Sequence, residues 1–387
     1  MARVRPVTTV DVAVIGRGLI GSAAARHLAE AGVSTALIGP AEPADRTISP
    51  GPFSSHGDEG RITRVTARDP VWATLAARSI TRYPDIARRS ETPFHVPRGL
   101  AVVAPDLDDW IDNGLITGSN VRKVDAGWLR SATGIDVANG LPVAWEGSPA
   151  GYIQPRRLVE AQTKLAAAAG AAVVTEAVAS AKPIAGGYEM SGPWGSIRAD
   201  RMLVATGAFG RHLLDAELRL DRVPRTVVMA EMADPGNIPS LILEQPHDDR
   251  LRSIYWVPPV RYPDGRLCLK IGGALASDPK AVTDEELVDW FHGNGDSAEA
   301  EALTDTLRAL LPGVAITSVT SSPCVITNTP TGHPYVGWLD DGLAVAIGGN
   351  GEAAKSCDEI GRLAASLFGA EGWTDSLNPE TFTPQLV

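Results

Sequence analysis

The chain has 387 residues, 44% apolar and 21% charged, with 35 Lys and Arg against 46 Asp and Glu for a net charge of −11. That length suits two domains or one large interleaved fold, and the acidic balance without a basic block argues against nucleic acid as a partner. The apolar stretches fall short of the roughly 20 residues of a membrane span and Arg3 and Arg5 precede no signal-peptide core, so a cytoplasmic protein without a membrane partner is expected. Cys268, Cys324 and Cys357 are widely separated and form neither a metal spacing nor a disulfide framework. No metal is expected, and each cysteine taken alone reads as a small buried hydrophobe.

An apolar run at 10–15 leads into Gly16, Gly18 and Gly21 in G-x-G-x-x-G spacing, then Leu19, Ala23, Ala24, Leu28 and Ala31 at helical spacing, Gly32 as a stop, and a second apolar run at 35–38. This predicts a βαβ unit whose first glycine makes the turn, whose second lets a pyrophosphate approach, and whose third lets the helix close on the sheet. The carboxylate that commonly ends the second strand and holds the adenosine ribose is missing. Gly39-Pro40 stand there, and Glu42 is the nearest acid.

A polar loop at 54–64 follows, open to an anion or simply a solvated connection. Leu75, Ala76, Ile80, Tyr83 and Ile86 predict a packing helix over 71–87. From 94 to 143 the pattern changes to short strands, such as 99–103. Helix 156–169, strand 172–174 and strand 201–208 return to α/β character, the last ending in Thr206-Gly207, where backbone can approach a ligand closely. Strands at 226–231, 253–257 and 267–271 precede a single helical stretch, 284–311; the strand with Lys270 alternates too poorly to give the face of the lysine. Strand 343–347 runs into Gly348-Gly349-Asn350-Gly351 and helix 352–368, and no 20–50-residue period recurs. The expected fold is α/β: a Rossmann-like dinucleotide-binding domain of residues 1–90, 150–222 and 320–387, interleaved with an α+β substrate domain of residues 91–149 and 223–319 on a mixed or antiparallel sheet.

In this order the opening unit, SSHGDEGRITR at 54–64, LCLKIGG at 267–273, PCVITNTPTGHPYVG at 323–337 and GGNGEAAKS at 348–356 resemble the FAD-dependent amine oxidases of the D-amino-acid oxidase superfamily. The nearest branch is that of monomeric sarcosine oxidase and N-methyltryptophan oxidase, and the resemblance covers nearly the whole chain. It implies FAD contacts from Gly16, Gly18, Leu19, Ile20, Gly21, Ser55, His56, Arg61, Val174, Thr206, Gly207, Gly348, Gly351 and Lys355. It also implies a thioether from Cys324, which directly precedes Val325-Ile326-Thr327-Asn328-Thr329, to the flavin.

The resemblance gives Lys270 the oxygen reaction, where a fixed cation stabilises an oxygen-derived anion as it forms. Arg64 and Lys355 match the pair that holds a substrate carboxylate, the arginine through its planar fork. Lys355 also stands in a helix first turn, where a cation is disfavoured unless an anion compensates. Arg61 and His56 match residues beside the flavin ring, and the amides after Gly351 would face its N1–C2=O edge. Tyr255 and Trp256 suit the pocket wall or the core equally.

Three departures stand out: one extra residue between His56 and Arg61, Ala274 in place of an active-site histidine, and Glu352-Ala353-Ala354 in place of a His-Gly-aromatic run. The carboxylate clamp is kept while the pocket walls differ, so sarcosine itself is not implied. The reading is an FAD-dependent oxidase of a carboxylate-bearing amine, secondary, N-alkyl or cyclic, forming an imine and hydrogen peroxide. Its partners are that substrate and oxygen, and a monomer is expected. The alternatives are an FAD-dependent amino-acid or 2-hydroxy-acid dehydrogenase with another acceptor, and a non-catalytic flavoprotein subunit.

Overall fold

A computed structural model describes residues 8–387 except 44, 56, 139, 235, 278, 280 and 281. Strand Thr8–Ile15 runs parallel to Thr35–Ile38 on one side and to Gly195–Val204 on the other. Its alternate residues serve opposite faces: Val12 and Val14 enter one apolar cluster, Ala13 and Ile15 another. Burial on both faces is why this run reads as continuously apolar. Ala172–Val174 extends the parallel sheet beyond Thr35–Ile38, and Leu343–Ile347 extends it beyond Gly195–Val204. A hairpin of Ser180–Ile184 and Gly187–Gly192, absent from the sequence reading, pairs with the first part of Gly195–Val204.

Helices Leu19–Glu30, Pro70–Ser90, Pro155–Ala168 and Ala353–Ser366 pack together at this sheet, joined at a buried carboxylate. Asp358 accepts from Arg26 Nη2 at 2.7 Å, Arg82 Nε at 2.5 Å and Gln162 Nε2 at 2.8 Å. Each donor comes from a different helix.

The second large sheet has eight strands in the order Ile316–Asn328, Asp221–Met232, Leu267–Leu275, Leu251–Arg261, Ser240–Glu244, Leu100–Val103, Val143–Glu146, Arg122–Val124. Its pairings are antiparallel except Ser240–Glu244 with Leu100–Val103. The boundary expected at 319/320 falls inside Ile316–Asn328, which pairs along its length with Asp221–Met232. The expected helix 284–311 is two helices, Asp284–His292 and Ser297–Leu310. Gly295 takes φ +83° between them, and the Asp296 carboxylate accepts from Glu299 N at 2.7 Å to start the second. Trp256 is fully buried and donates Nε1–H to the Pro239 carbonyl at 2.8 Å, so it belongs to the core and not to the pocket wall.

Two contacts carry the motif loops to one place. A three-stranded sheet pairs Arg61–Thr63 and His95–Val96 with Gly151–Ile153. Across the molecule, Asn350 N donates to Thr327 O at 2.8 Å, Gly349 N to Thr327 Oγ1 at 3.1 Å, and Thr329 N to Asn350 Oδ1 at 2.9 Å. The Thr-x-Thr run thereby pins the Gly-rich start of the last long helix.

Candidate active site

A cavity of about 1090 Å³ runs from the glycine turn to the wall of the second sheet, above the roughly 300–1,000 Å³ of ordinary small-molecule pockets. At its first end Gly16 has φ +109°, and a Cβ there would strike the Ala205 carbonyl; a Cβ on Gly21 would strike the Gly16 carbonyl. Helix Leu19–Glu30 begins at Gly18 with no side-chain cap and no acid in its first turn. Its free amides are therefore available to an anion. Thr206 Oγ1, in the same wall, is buried with no hydrogen-bond partner among the described residues, a donor left for a ligand. These features fit a dinucleotide.

Gly16, Gly18, Leu19, Ile20, Ser55, Arg61, Thr206, Gly207, Cys324, Gly348, Gly351 and Lys355 all line the cavity. Gly21 instead packs the helix onto the turn. Val174 also stands outside the wall, its carbonyl accepting from Gly39 N at 3.0 Å, while Ala177 and Val178 line it. His56 lies outside the described residues. Beside the missing ribose acid, Arg17 Nε donates to the Gly39 carbonyl at 3.1 Å, and Glu42 lines the cavity with its carboxylate accepting from Ser54 Oγ at 2.6 Å.

Arg64 and Lys355 come together as expected, but around a residue of the chain itself. Arg64 Nη2 lies 2.6 and 2.7 Å from the two carboxylate oxygens of Glu352, and Lys355 Nζ is ion-paired with Glu352 Oε2. The Arg64 guanidinium sits 4.8 Å above the Trp110 ring, and Lys355 Nζ 5.5 Å above that of Trp72. Glu146 fixes the backbone that carries Arg64 by accepting from Val65 N at 2.9 Å and Thr66 N at 3.0 Å. Burial pushes the Glu352 carboxyl up, but Arg64 first and Lys355 next hold it down to about 2. Burial lowers Lys355 to about 8, with Glu352 opposing that and Arg64 adding to it. The anion that a first-turn lysine needs is Glu352.

Lys270 is 1% exposed, its Nζ 2.6 Å from Asp58 Oδ2 and 2.6 Å from the Gly60 carbonyl, and 5.9 Å from the centre of the Tyr255 ring. It stands behind the cavity wall, which Asp58, Arg61 and Tyr255 form. Burial and then Arg61 lower Lys270 to about 8 against the pull of Asp58. Asp58, which burial would raise, is held at about 2 by Arg61 and Lys270. Burial raises the Tyr255 hydroxyl. Asp58, Glu146 and the pairing of Glu352 were missed in the sequence, because isolated acids in a loop, a strand and a helix start carry no spacing signal.

Cys324 faces the same cavity, half-buried on strand Ile316–Asn328, within electrostatic reach of Arg46, Arg61 and Lys270. Cys268 and Cys357 are buried, and burial pushes both thiols up. Among the described residues no group of His, Cys, Asp or Glu is placed to hold a metal ion, and no helix is long and apolar enough to cross a membrane.

A parallel sheet with a glycine-turn helix at one end of a cavity, and buried cations at the other, defines a dinucleotide-dependent oxidoreductase. Residues 11–367 match the FAD dependent oxidoreductase (DAO) family, and the chain belongs to it; its cofactor is FAD. A monomeric sarcosine oxidase of Streptomyces avermitilis is 26% identical over 395 residues, 93% of each chain. Among solved structures, NikD, described as an unusual amino acid oxidase essential for nikkomycin biosynthesis, superposes with TM-score 0.78 at 18% identity over 98% of each chain. L-proline dehydrogenase from P. horikoshii does so with TM-score 0.76 at 15% identity, over 98% of this chain and 97% of that one.

Proposed function

We propose that this chain oxidises the C–N bond of a small amine to an imine, with oxygen as acceptor and hydrogen peroxide as product. The observation that carries this reading is the convergence on one cavity of the glycine turn, the Arg64–Lys355 cluster, and Lys270 behind Asp58 and Tyr255. FAD supplies the two-electron acceptor chemistry. The amine loses two electrons and two protons, oxygen takes up both, and water hydrolyses the imine.

The chain's own residues divide the remaining work. The amides at 18–20 and Thr206 would hold the dinucleotide, with the start of helix Ala353–Ser366 near its reacting end. Arg64, Lys355 and Glu352 orient the substrate, a contribution made through positioning. Arg61 and Lys270 keep positive charge where oxygen is reduced. Cys324 is the tether for FAD, a role supported by its place in the cavity wall. The relative named as a monomeric sarcosine oxidase supports a C–N donor. The two large sheets are the FAD-binding and substrate units, and the protein acts as a monomer.

A dehydrogenase using another acceptor is the second reading, favoured by the ion pair of Lys270 with Asp58, which offsets part of its charge. Turnover of an amine with oxygen as sole acceptor should yield one peroxide per amine consumed. Turnover with a dye acceptor and no peroxide would move the assignment to the dehydrogenase. Denaturing precipitation followed by mass measurement tests Cys324: the polypeptide should carry the mass of FAD in the wild type and lose it in Cys324→Ala.

A further inference from the structure

We infer that Glu352 fills, as part of the chain itself, the place between Arg64 and Lys355 where a substrate carboxylate would lie, and that the substrate is an amine with no carboxylate on the reacting carbon. This rests on the amine-oxidising reading above and replaces the carboxylate-bearing class expected from the sequence.

The geometry carries it. Both oxygens of Glu352 are within 2.7 Å of Arg64 Nη2, the other Arg64 terminus is spent on the Thr66 carbonyl, and Lys355 gives its remaining contact to the Glu352 carbonyl at 3.2 Å. The two cation side chains are 5% and 3% exposed, roofed by Trp110 and Trp72, whereas the Glu352 side chain is 30% exposed and lines the cavity. What the clamp presents to a ligand is therefore an anion with one acceptor site left on Oε1, which can take an N–H and repels a carboxylate. Protonation cannot remove the obstacle near neutrality, because the two cations hold Glu352 ionised down to about pH 2. Swinging it aside would leave two buried cations unpaired until the ligand arrived. Apolar wall from Met229, Ile254 and Ala274 remains for the substituents of an amine.

Holoenzyme of wild type, Glu352→Ala and Glu352→Gln decides the matter in two measurements. The first titrates acetate alone, read as a shift of the flavin visible spectrum. Half-saturation in Glu352→Ala should fall at least about tenfold below wild type, with Glu352→Gln, which keeps the volume and loses the charge, moving the same way and standing in if the alanine variant does not fold. Equal acetate affinity in wild type and both variants would overturn the inference. The second follows anaerobic flavin bleaching by pyrrolidine against proline, and by N-methylethylamine against N-methylalanine. The wild type should prefer each amine by at least about tenfold and the variants should lose or reverse that preference. Faster bleaching of the wild type by the amino acids would also overturn it. If none of the four compounds bleaches any variant, the amine-oxidising reading fails, while the acetate titration still reports whether Glu352 occupies the carboxylate place.

Discussion

Lys270 shows how a single side chain takes its meaning from its surroundings. In sequence it is a lysine among Leu267, Leu269 and Ile271, and in the fold it is a buried cation tied to Asp58 and Gly60. Lysine is rarely so enclosed unless it is paired, and Asp58 is that partner. Lys270→Met should slow reoxidation of the reduced holoenzyme by oxygen by about 10²–10³-fold, the usual cost of one preorganised charge donor, and leave anaerobic reduction by the amine little changed. Stopped-flow measurement of the two half-reactions separates them, and equal losses in both would mean that the lysine only supports the fold. Since Lys270 sits at about 8, wild-type reoxidation should fall as pH rises through that value, and the methionine variant should show no such step.

Among the elements, the helices show where periodicity suffices and where it fails. Tyr83 and Ile86 are buried on helix Pro70–Ser90 as their spacing requires, and Asp69 caps it by accepting from Val71 N at 2.8 Å and Trp72 N at 3.0 Å. The 284–311 stretch looked continuous because apolar spacing resumes after the break, although Gly293, Gly295 and Asp296 carry the signal of a stop and a new cap. The Ser180–Gly192 hairpin is mostly half-exposed, so its alternation of apolar and polar residues is faint. The helix layer adds what no pattern shows: Asp358 gathers Arg26, Arg82 and Gln162 from three other helices. Asp358→Ala takes a carboxylate partner from buried Arg26 and half-buried Arg82 and should cost about 3–5 kcal/mol in urea unfolding. A loss under about 1 kcal/mol would show that the helices hold by apolar packing alone.

For the whole molecule, acid is the sharper stress. Asp58, Glu352 and Asp375 sit at about 2 in the folded chain, against ordinary values of 3.8, 4.5 and 3.8. In each case burial acts upward and neighbouring arginines or lysines outweigh it. Their folded values are depressed, so the stability they contribute is present above about pH 4.5 and lost as pH falls toward 2. Lys270 and Lys355 are depressed from 10.5 to about 8, so the unfolded chain binds more protons between those values and stability gains from them as pH rises through that window. Urea midpoints across pH should therefore drop steeply below 4.5; a flat profile there would mean that these ion pairs contribute nothing net.

The sequence by itself determined the opening βαβ unit, because strand, glycine turn and helix are local and Gly16 and Gly21 answer contacts within a few residues or at the end of an adjoining strand. It determined the family too, through five motifs in one order, and with it the cofactor. Only the tertiary structure decided what those motifs face. Arg64 and Glu352 are 288 positions apart, and Lys270 and Asp58 are 212 apart. Whether a cation is open to a ligand or already answered by the chain depends on through-space neighbours that no spacing encodes. The same arginine and lysine that in sequence suggested an empty clamp are, in the folded protein, a pair closed around their own carboxylate.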